Sequence, residues 1–211
     1  MNKNVSPRTA DRIVTIAVDV QKDFCPGGSL AVAGGDKVTA PLNDMMAYTR
    51  ERGGTVVATR DWHPDQTPHF DAWPVHCVAG TEGASFHPSL DVRTTDVIIN
   101  KGTGQTDGYS GFDGEAIDHT TIEQIIQPRT LRERVAVLIG GLATDYCVRA
   151  TALDAAKQAD RVREARQGVI DVYVLEDAIR AVNVQPEDGA RAIQEMKDAG
   201  IQFVTTAGIL D

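Results

Sequence analysis

The sequence predicts a single α/β domain built on a doubly wound, mostly parallel sheet with helices on both faces. Short apolar runs rich in β-branched residues recur along the 211 residues, without the alternation that marks a half-exposed strand. Amphipathic or loop segments separate these runs, and strands that alternate with helices form a right-handed parallel sheet. A chain of this length is short for two domains.

Six runs are predicted to be strands and three segments to be helices. The predicted strands are residues 13–18, 55–59, 96–100, 135–139, 170–175 and 201–204. The predicted helices are residues 37–52, 144–166 and 186–199, the last with Pro186 in its first turn. Residues 1–12 are polar and are predicted to be a flexible tail, so the single domain spans residues 13–211.

Composition excludes several classes of protein. Hydrophobic residues make up 42% of the chain and charged residues 24%, which is typical of a globular protein. The net charge of -9 argues against a surface for nucleic acid, and no apolar run is long enough to span a bilayer. Three widely spaced cysteines do not suggest a disulfide scaffold, so we expect a reducing, cytoplasmic setting.

Residues 61–95 do not fit the alternation of strands and helices, and a long irregular stretch in a compact domain is usually functional. This segment carries Asp61, His63, His69 and His76. Side chains two residues apart in an extended segment point to the same side, so Asp61 and His63 can reach one ion. Imidazoles and a carboxylate suit zinc, iron or manganese. The alternative is a loop whose histidines only form hydrogen bonds.

Other reactive side chains follow the predicted strands, where doubly wound sheets bind their ligands. Asp19 follows the first strand and Lys101 the third, and Cys147 lies in the first turn of the helix after the fourth. The helix dipole would stabilise a thiolate there, Asp19 would exchange its proton, and Lys101 would keep both groups charged. Backbone N–H groups of the glycine-rich turn before Cys147 could hold an oxyanion. The alternatives are that Cys147 is a small buried residue of the core, that Asp19 is a cap or turn residue and that Lys101 is a solvated charge in a loop.

Aromatic residues gather in the same regions of the chain. They are Phe24, Trp62, Phe70, Trp73 and Tyr109. Some belong to an ordinary core, but a flat substrate ring would need aromatic walls. Phe24 and Trp73 are placed close to the expected gap between thiol and metal.

Taken together, these motifs resemble those of the nicotinamidases of the isochorismatase-like cysteine hydrolase superfamily. The matching stretches cover most of residues 13–155 in order, and they are DVQKDF (19–24), TRDWHP (59–64), WPVHCV (73–78), FHP (86–88), KG (101–102), YSGF (109–112) and GLATDYCV (141–148). The resemblance implies hydrolysis of nicotinamide, and of pyrazinamide, through a cysteine thioester.

The resemblance also implies a role for each matched residue. Asp19, Lys101 and Cys147 match the catalytic triad, and the N–H groups of Ala143 and Cys147 match the oxyanion hole, next to a peptide, 142–143, that is cis in relatives. Asp61, His63 and His76 match the ligands of one divalent metal, for which zinc is the first expectation and iron or manganese the alternatives. His69 matches a fourth ligand of some members. Phe24 and Trp73 match residues that flank the substrate ring, and Tyr109 is a third candidate for contact with it.

Three alternatives stay open. The chain could be another cysteine amidase of the superfamily, acting on a carbamoyl or ureido substrate, although those relatives generally lack the Asp-x-His and Trp-Pro-x-His pair. It could be a metallohydrolase in which metal-bound water attacks, or a non-catalytic binding protein. The charged segment 157–168 is longer than is usual and bears on a possible homo-oligomer. Because the triad follows strands and the metal ligands share a loop, we expect the triad to survive emptying of that loop.

Overall fold

Six parallel strands form one sheet in the computed structural model, which describes residues 6–211. The strands are β1 Arg12–Val18, β2 Thr55–Asp61, β3 Val97–Lys101, β4 Arg134–Leu142, β5 Val169–Arg180 and β6 Gln202–Val204. Their order across the sheet is β3-β2-β1-β4-β5-β6, and each neighbouring pair is parallel. The predicted doubly wound parallel sheet is confirmed.

Helices and short turns connect the strands. The helices are α1 Thr39–Glu51, α2 His69–Ala72, α3 Ile122–Ile126, α4 Arg149–Glu164, α5 Asp188–Asp198 and α6 Thr206–Leu210. The 3-10 turns are Pro7–Thr9, Lys22–Phe24, Gly35–Val38 and Gly111–Asp113, and a π-helical turn, Thr144–Val148, leads into α4. None of the helices within residues 6–211 has the length and apolar character needed to cross a membrane.

The core lies on both faces of the sheet. All seven residues of β1 are buried, which explains why its sequence shows no alternation. Ile13 and Ala17 pack into one cluster of apolar side chains, whereas Val14, Ile16 and Val18 pack into a second cluster. Because successive side chains of a strand point to opposite faces, the two clusters are the two faces of the sheet.

The carboxyl ends of β1 and β4 mark the point where the winding of the sheet reverses. The chain runs outward from β1 to β2 and β3 on one side and from β4 to β5 and β6 on the other. Val18 and Gly141 are partners in the register of these central strands. Gly141 has a φ of +126°, and a Cβ there would overlap the carbonyl oxygen of Val18. A crevice opens at such a switch point, and ligands bind there.

The predicted elements differ from the structure mainly at their ends. The predicted helix 37–52 is a 3-10 turn followed by α1, which ends at Glu51. Gly53, the predicted stop signal, follows with a φ of +66°. α5 begins at Asp188, so Pro186 precedes the helix. β5 continues to Arg180, five residues beyond the predicted end. The prediction stopped early because residues 176–180 are not a continuous apolar run.

The predicted flexible tail is partly ordered, and most of the charged segment 157–168 is helical. Residues 1–5 of the predicted tail lie outside the described residues, but Pro7–Thr9 form a turn, and Arg8 Nε donates a hydrogen bond to the carbonyl oxygen of Ile209 at 2.7 Å. Residues 157–164 of the charged segment 157–168 are the end of α4, where Lys157 pairs with Asp154 at 2.8 Å. Its charges form the solvated face of that helix.

Candidate active site

Lys101 is the fully buried centre of a cluster at the carboxyl ends of the strands. Its Nζ lies 2.9 Å from Asp19 Oδ2 and 3.4 Å from Cys147 Sγ, forms a short ion pair with Asp61 Oδ1, and donates to the Gly108 carbonyl at 3.0 Å. Burial lowers the pKa of Lys101, but the two carboxylates raise it well above its ordinary value. Asp19, Asp61 and Cys147 lie close enough together to bind a metal ion, but the Lys101 ammonium already neutralises part of their negative charge.

Asp19 is placed to act as a base. Thr59 Oγ1 donates a hydrogen bond of 2.6 Å to Asp19 Oδ1, and an oxygen of the carboxylate lies within 4.8 Å of Cys147 Sγ. Burial raises the pKa of Asp19, Lys101 lowers it and Asp61 raises it again, so that the pKa is raised overall. A carboxylate with a raised pKa holds an abstracted proton better than a surface carboxylate does.

Cys147 lies in the π-helical turn before α4, and the surroundings of its thiol disfavour the thiolate. Burial raises the pKa of the thiol, and although Lys101 lowers it, Asp19 and Asp61 add to the rise, which is large. This environment opposes the stabilisation of a thiolate that is expected from the helix dipole. Burial and two nearby carboxylates outweigh one ammonium, so the thiol needs a base at the moment of attack.

A cis peptide precedes the turn that carries Cys147, and hydrogen bonds tie the turn to the segment after β5. The Leu142–Ala143 peptide is cis, as the resemblance implies. The carboxylate of Asp145 accepts hydrogen bonds from the N–H of Val182 at 2.9 Å and from the N–H of the next residue at 2.8 Å. Ala143 and Cys147 line the same cavity, and their role as oxyanion donors stays a prediction.

Three buried histidines lie together beside this cluster. One ring nitrogen each of His63, His69 and His76 lies within 4.8 Å of those of the other two. Carbonyl and carboxylate oxygens only accept hydrogen bonds, so each Nδ1 donates and each Nε2 is left with a lone pair. The Nδ1 partners are the Gly102 carbonyl for His63 at 3.0 Å, Asp107 Oδ1 for His69 at 2.7 Å and the Pro74 carbonyl for His76 at 2.7 Å.

Asp61 joins the histidines to Lys101. Its Oδ2 lies 3.6 Å from His63 Nε2 and 3.9 Å from His76 Nε2, while its Oδ1 contacts Lys101. Burial raises the pKa of Asp61, but the Lys101 ammonium outweighs this effect, and the pKa is lowered to about 2. The triad and the histidine loop are therefore not independent, because Asp61 and Lys101 are register partners on β2 and β3.

The residues present fit a divalent metal. His63 Nε2 is buried and has no hydrogen-bond partner among residues 6–211, and a metal ion would satisfy this atom. Three imidazole nitrogens and one ionised carboxylate form a donor set typical of zinc and also suited to iron or manganese. The ring centroid of His69 lies 4.6 Å from that of His63 and 5.2 Å from that of His76, and those of His63 and His76 are 5.2 Å apart. The geometry therefore does not separate His69 from the other two candidate ligands.

An aromatic cavity of about 400 Å³, open solvent at its mouth included, connects the thiol with the histidines. Phe24, Trp73 and Tyr109 line it as expected, and Trp73 Nε1 donates a hydrogen bond of 3.0 Å to the Tyr109 hydroxyl. The sequence interpretation missed Tyr146, whose ring meets that of Trp73 edge-on at 5.1 Å. Its position beside Cys147 was the available signal. The remaining lining residues are Leu30, Val32, Asp61, His69, His76, Ala143, Cys147 and Val182.

The other candidates lie outside the cavity. Trp62 packs under the guanidinium of Arg60, 3.7 Å from its ring centre, and Phe70 packs edge-on against His63. Cys25 and Cys77 are buried free thiols, and burial raises the pKa of Cys25 to about 11. Neither of these two thiols lines the cavity.

Fold and site together define the class of protein: the chain belongs to the isochorismatase family, whose domain model, the Isochorismatase domain, matches residues 14–208. The chain is 38% identical to the nicotinamidase/pyrazinamidase of Mycobacterium tuberculosis, over 91% of this chain and 98% of that protein. It is 34% identical to the nicotinamidase of Escherichia coli, over 91% of this chain and 94% of that protein. The crystal structure of the pyrazinamidase of Pyrococcus horikoshii in complex with zinc matches with a TM-score of 0.75 and 39% identity, over 92% and 99%.

Proposed function

We propose that this chain is a nicotinamidase that hydrolyses nicotinamide to nicotinate and ammonia, with pyrazinamide as a second substrate. The observation that carries the proposal is one cavity that opens both on the Cys147 thiol and on the histidine cluster, with Phe24 and Trp73 in its walls. A pyridine ring in this cavity can direct its nitrogen to one end and its carboxamide to the other. The similarity to the nicotinamidase/pyrazinamidase of M. tuberculosis and to the nicotinamidase of E. coli supports this assignment.

The first half-reaction forms a thioester. Asp19 removes the proton from Cys147, and the sulfur attacks the carboxamide carbon. Lys101 stays protonated and stabilises the thiolate as it forms. The N–H groups of Ala143 and Cys147 stabilise the oxyanion. When the carbon–nitrogen bond breaks, Asp19 returns the proton to the leaving nitrogen, and ammonia departs.

The second half-reaction releases the acid. Asp19, unprotonated again, takes a proton from a water molecule that attacks the thioester carbon. The carbon–sulfur bond breaks, and the proton passes from Asp19 to the Cys147 sulfur, which regenerates the neutral thiol of the resting state. One group with a raised pKa thus serves as base and acid in turn.

The metal site is part of the proposal. Asp61, His63, His69 and His76 would hold one divalent ion, zinc first and iron or manganese as alternatives. When bound, this ion supplies a Lewis-acid site for the ring nitrogen. The walls formed by Phe24 and Trp73 orient the ring and keep water away from its faces.

The carbamoyl and ureido amidase is the second candidate function, and the cavity favours it less. A small aliphatic substrate would leave the aromatic walls and the ring nitrogens of His69 and His76 without a role. Attack by metal-bound water is also less favoured, since a buried thiol then lies beside Lys101 without a purpose. A cytoplasmic location and a homo-oligomer remain predictions.

Ammonia release from nicotinamide, before and after treatment with a chelator, tests the proposal. We expect turnover that collapses on chelation and returns with added zinc, iron or manganese. Benzamide, which lacks the ring nitrogen, is the control and should be a poor substrate with or without metal. Absence of turnover by the metal-loaded protein, or equal use of benzamide, would refute the assignment.

A further inference from the structure

Asp107 lies outside every motif that identified the site, yet its carboxylate contacts a proposed metal ligand. Asp107 Oδ1 lies 2.7 Å from His69 Nδ1. The His69 side chain is 3% exposed, whereas that of Asp107 is 55% exposed. An exposed carboxylate therefore reaches a buried imidazole from the segment that follows Lys101.

The partner of His69 differs in kind from those of the other two histidines. His63 and His76 donate their Nδ1–H to backbone carbonyls, which any sequence supplies. His69 alone among these three donates to a charged side chain. A hydrogen bond to a carboxylate is stronger than one to a neutral oxygen, and a carboxylate behind an imidazole makes the far nitrogen a better metal ligand.

We propose that Asp107 is a positioning residue that orients His69 and strengthens its bond to the divalent metal. The inference rests on the proposed metal site. With Nδ1–H directed at Asp107, the lone pair of His69 lies on Nε2, and the ring stacks on that of His63 with centroids 4.6 Å apart. Asp107 thereby fixes both the tautomer and the direction of the third imidazole.

Loss of Asp107 should affect the metal rather than the fold. A second hydrogen bond, from Trp73 Nε1 to the Tyr109 hydroxyl, joins the same two segments of chain at 3.0 Å. Because Asp107 is exposed, its replacement leaves no cavity and no buried unpaired charge, and the one buried group that loses its partner is the His69 Nδ1–H. The carboxylate can therefore be removed while the segments stay in contact.

The test is the zinc dissociation constant of the full chain, measured by competition with a coloured chelator, together with the melting temperature. We expect Asp107→Ala to weaken zinc binding by roughly 10- to 100-fold. Asp107→Asn, which keeps an acceptor but loses the charge, should weaken it less. Glu115→Gln is the matched control, because Glu115 pairs with the exposed His119 at 2.9 Å, away from the cavity, and should leave zinc binding unchanged.

A double-mutant cycle separates this role from a general loss of charge. In a His69→Ala background, Asp107→Ala should have no further effect on zinc binding, because Asp107 acts through His69. A persisting effect, or wild-type affinity in Asp107→Ala alone, would overturn the role of Asp107 and leave the proposed function intact. Failure of the wild-type chain to bind zinc, iron or manganese would instead overturn the metal site itself.

Discussion

Individual residues at the site are held in their charge states by their neighbours. Lys101 is one buried cation among two carboxylates and a thiol, so the cluster is anionic when the thiol is neutral. This balance keeps the proton on Cys147 at rest, and it leaves Asp19 as the group that can take it. In the proposed mechanism, the thiol is therefore activated by proton transfer to Asp19.

Replacement of Asp19 by Asn should change two rates in opposite directions. Turnover of nicotinamide should fall by about 100-fold or more, because the base is lost. The carboxylate also raises the pKa of Cys147, so its removal should lower that pKa and move the pH curve for alkylation of the thiol to lower pH. Steady-state rates and the pH dependence of alkylation by a small electrophile measure the two effects.

The control for Asp19→Asn is Asp171→Asn, which removes a half-buried carboxylate on β5 outside the cavity. It should alter neither rate. If alkylation of Cys147 became slower at every pH in Asp19→Asn, the carboxylate would be stabilising a thiolate, and the charge balance described above would be incorrect.

The strand ends and the loop after β2 act as one element of the site. Asp61 ends β2 opposite Lys101 on β3, so the same carboxylate contacts the triad and the histidines. The rest of the ligand set comes from an irregular segment in which α2 is the only helix and His69 its first residue. Binding of an ion at the proposed metal site would therefore change the environment of Lys101 through Asp61.

Removal of any one of the three clustered histidines should weaken zinc binding and lower the metal content. For His63→Ala, His69→Ala and His76→Ala, we expect zinc affinity to fall by more than the roughly 10- to 100-fold that loss of an outer-shell partner costs. His69 is included because its ring nitrogen lies within 4.8 Å of the others. Elemental analysis of the purified variants measures the bound metal.

His119→Ala is the matched control for these variants, since its imidazole is exposed and lies outside the cluster. It should retain a full complement of metal. Full metal content in His69→Ala would remove that residue from the ligand set, and full content in all three variants would refute the site.

At the scale of the whole molecule, the sheet determines where the site lies. The central strands β1 and β4 lie side by side, and the chain leaves them toward opposite edges. Asp19 follows one strand and the turn of Cys147 follows the other. Base and nucleophile therefore meet only if these two strands keep their register.

Gly141→Ala should test this dependence through the free energy of unfolding. A Cβ at position 141 would overlap the Val18 carbonyl, and the φ of +126° is unsuited to other residues. We expect a loss of about 3 kcal/mol or more. Gly53→Ala, at a φ of +66° with open space around it, should cost about 1 kcal/mol. Chemical denaturation measures the free energy of unfolding of both variants. Equal losses would contradict the close approach of Gly141 to the Val18 carbonyl.

Much of this architecture follows from the sequence because buried parallel strands are continuous apolar runs, as β1 and β4 show. The triad could be placed because its members follow such runs. The sequence could not show that Asp61 faces Lys101, since strand register depends on packing across the sheet. Asp107 carried no signal, because an acidic residue in an exposed loop is unremarkable until its partner is known. The neutral state of Cys147 depends on burial, which the helix position alone does not reveal.

The most direct test of the central claim is nicotinamide turnover by metal-loaded Cys147→Ala. If the thiol forms the thioester, turnover should fall by at least roughly 1,000-fold, while metal content and melting temperature stay close to those of the wild type. Cys25→Ala, the same change at a buried thiol outside the cavity, should keep its activity once folded. A folded, metal-loaded Cys147→Ala that retained a tenth of the wild-type rate would contradict the covalent mechanism and favour attack by metal-bound water.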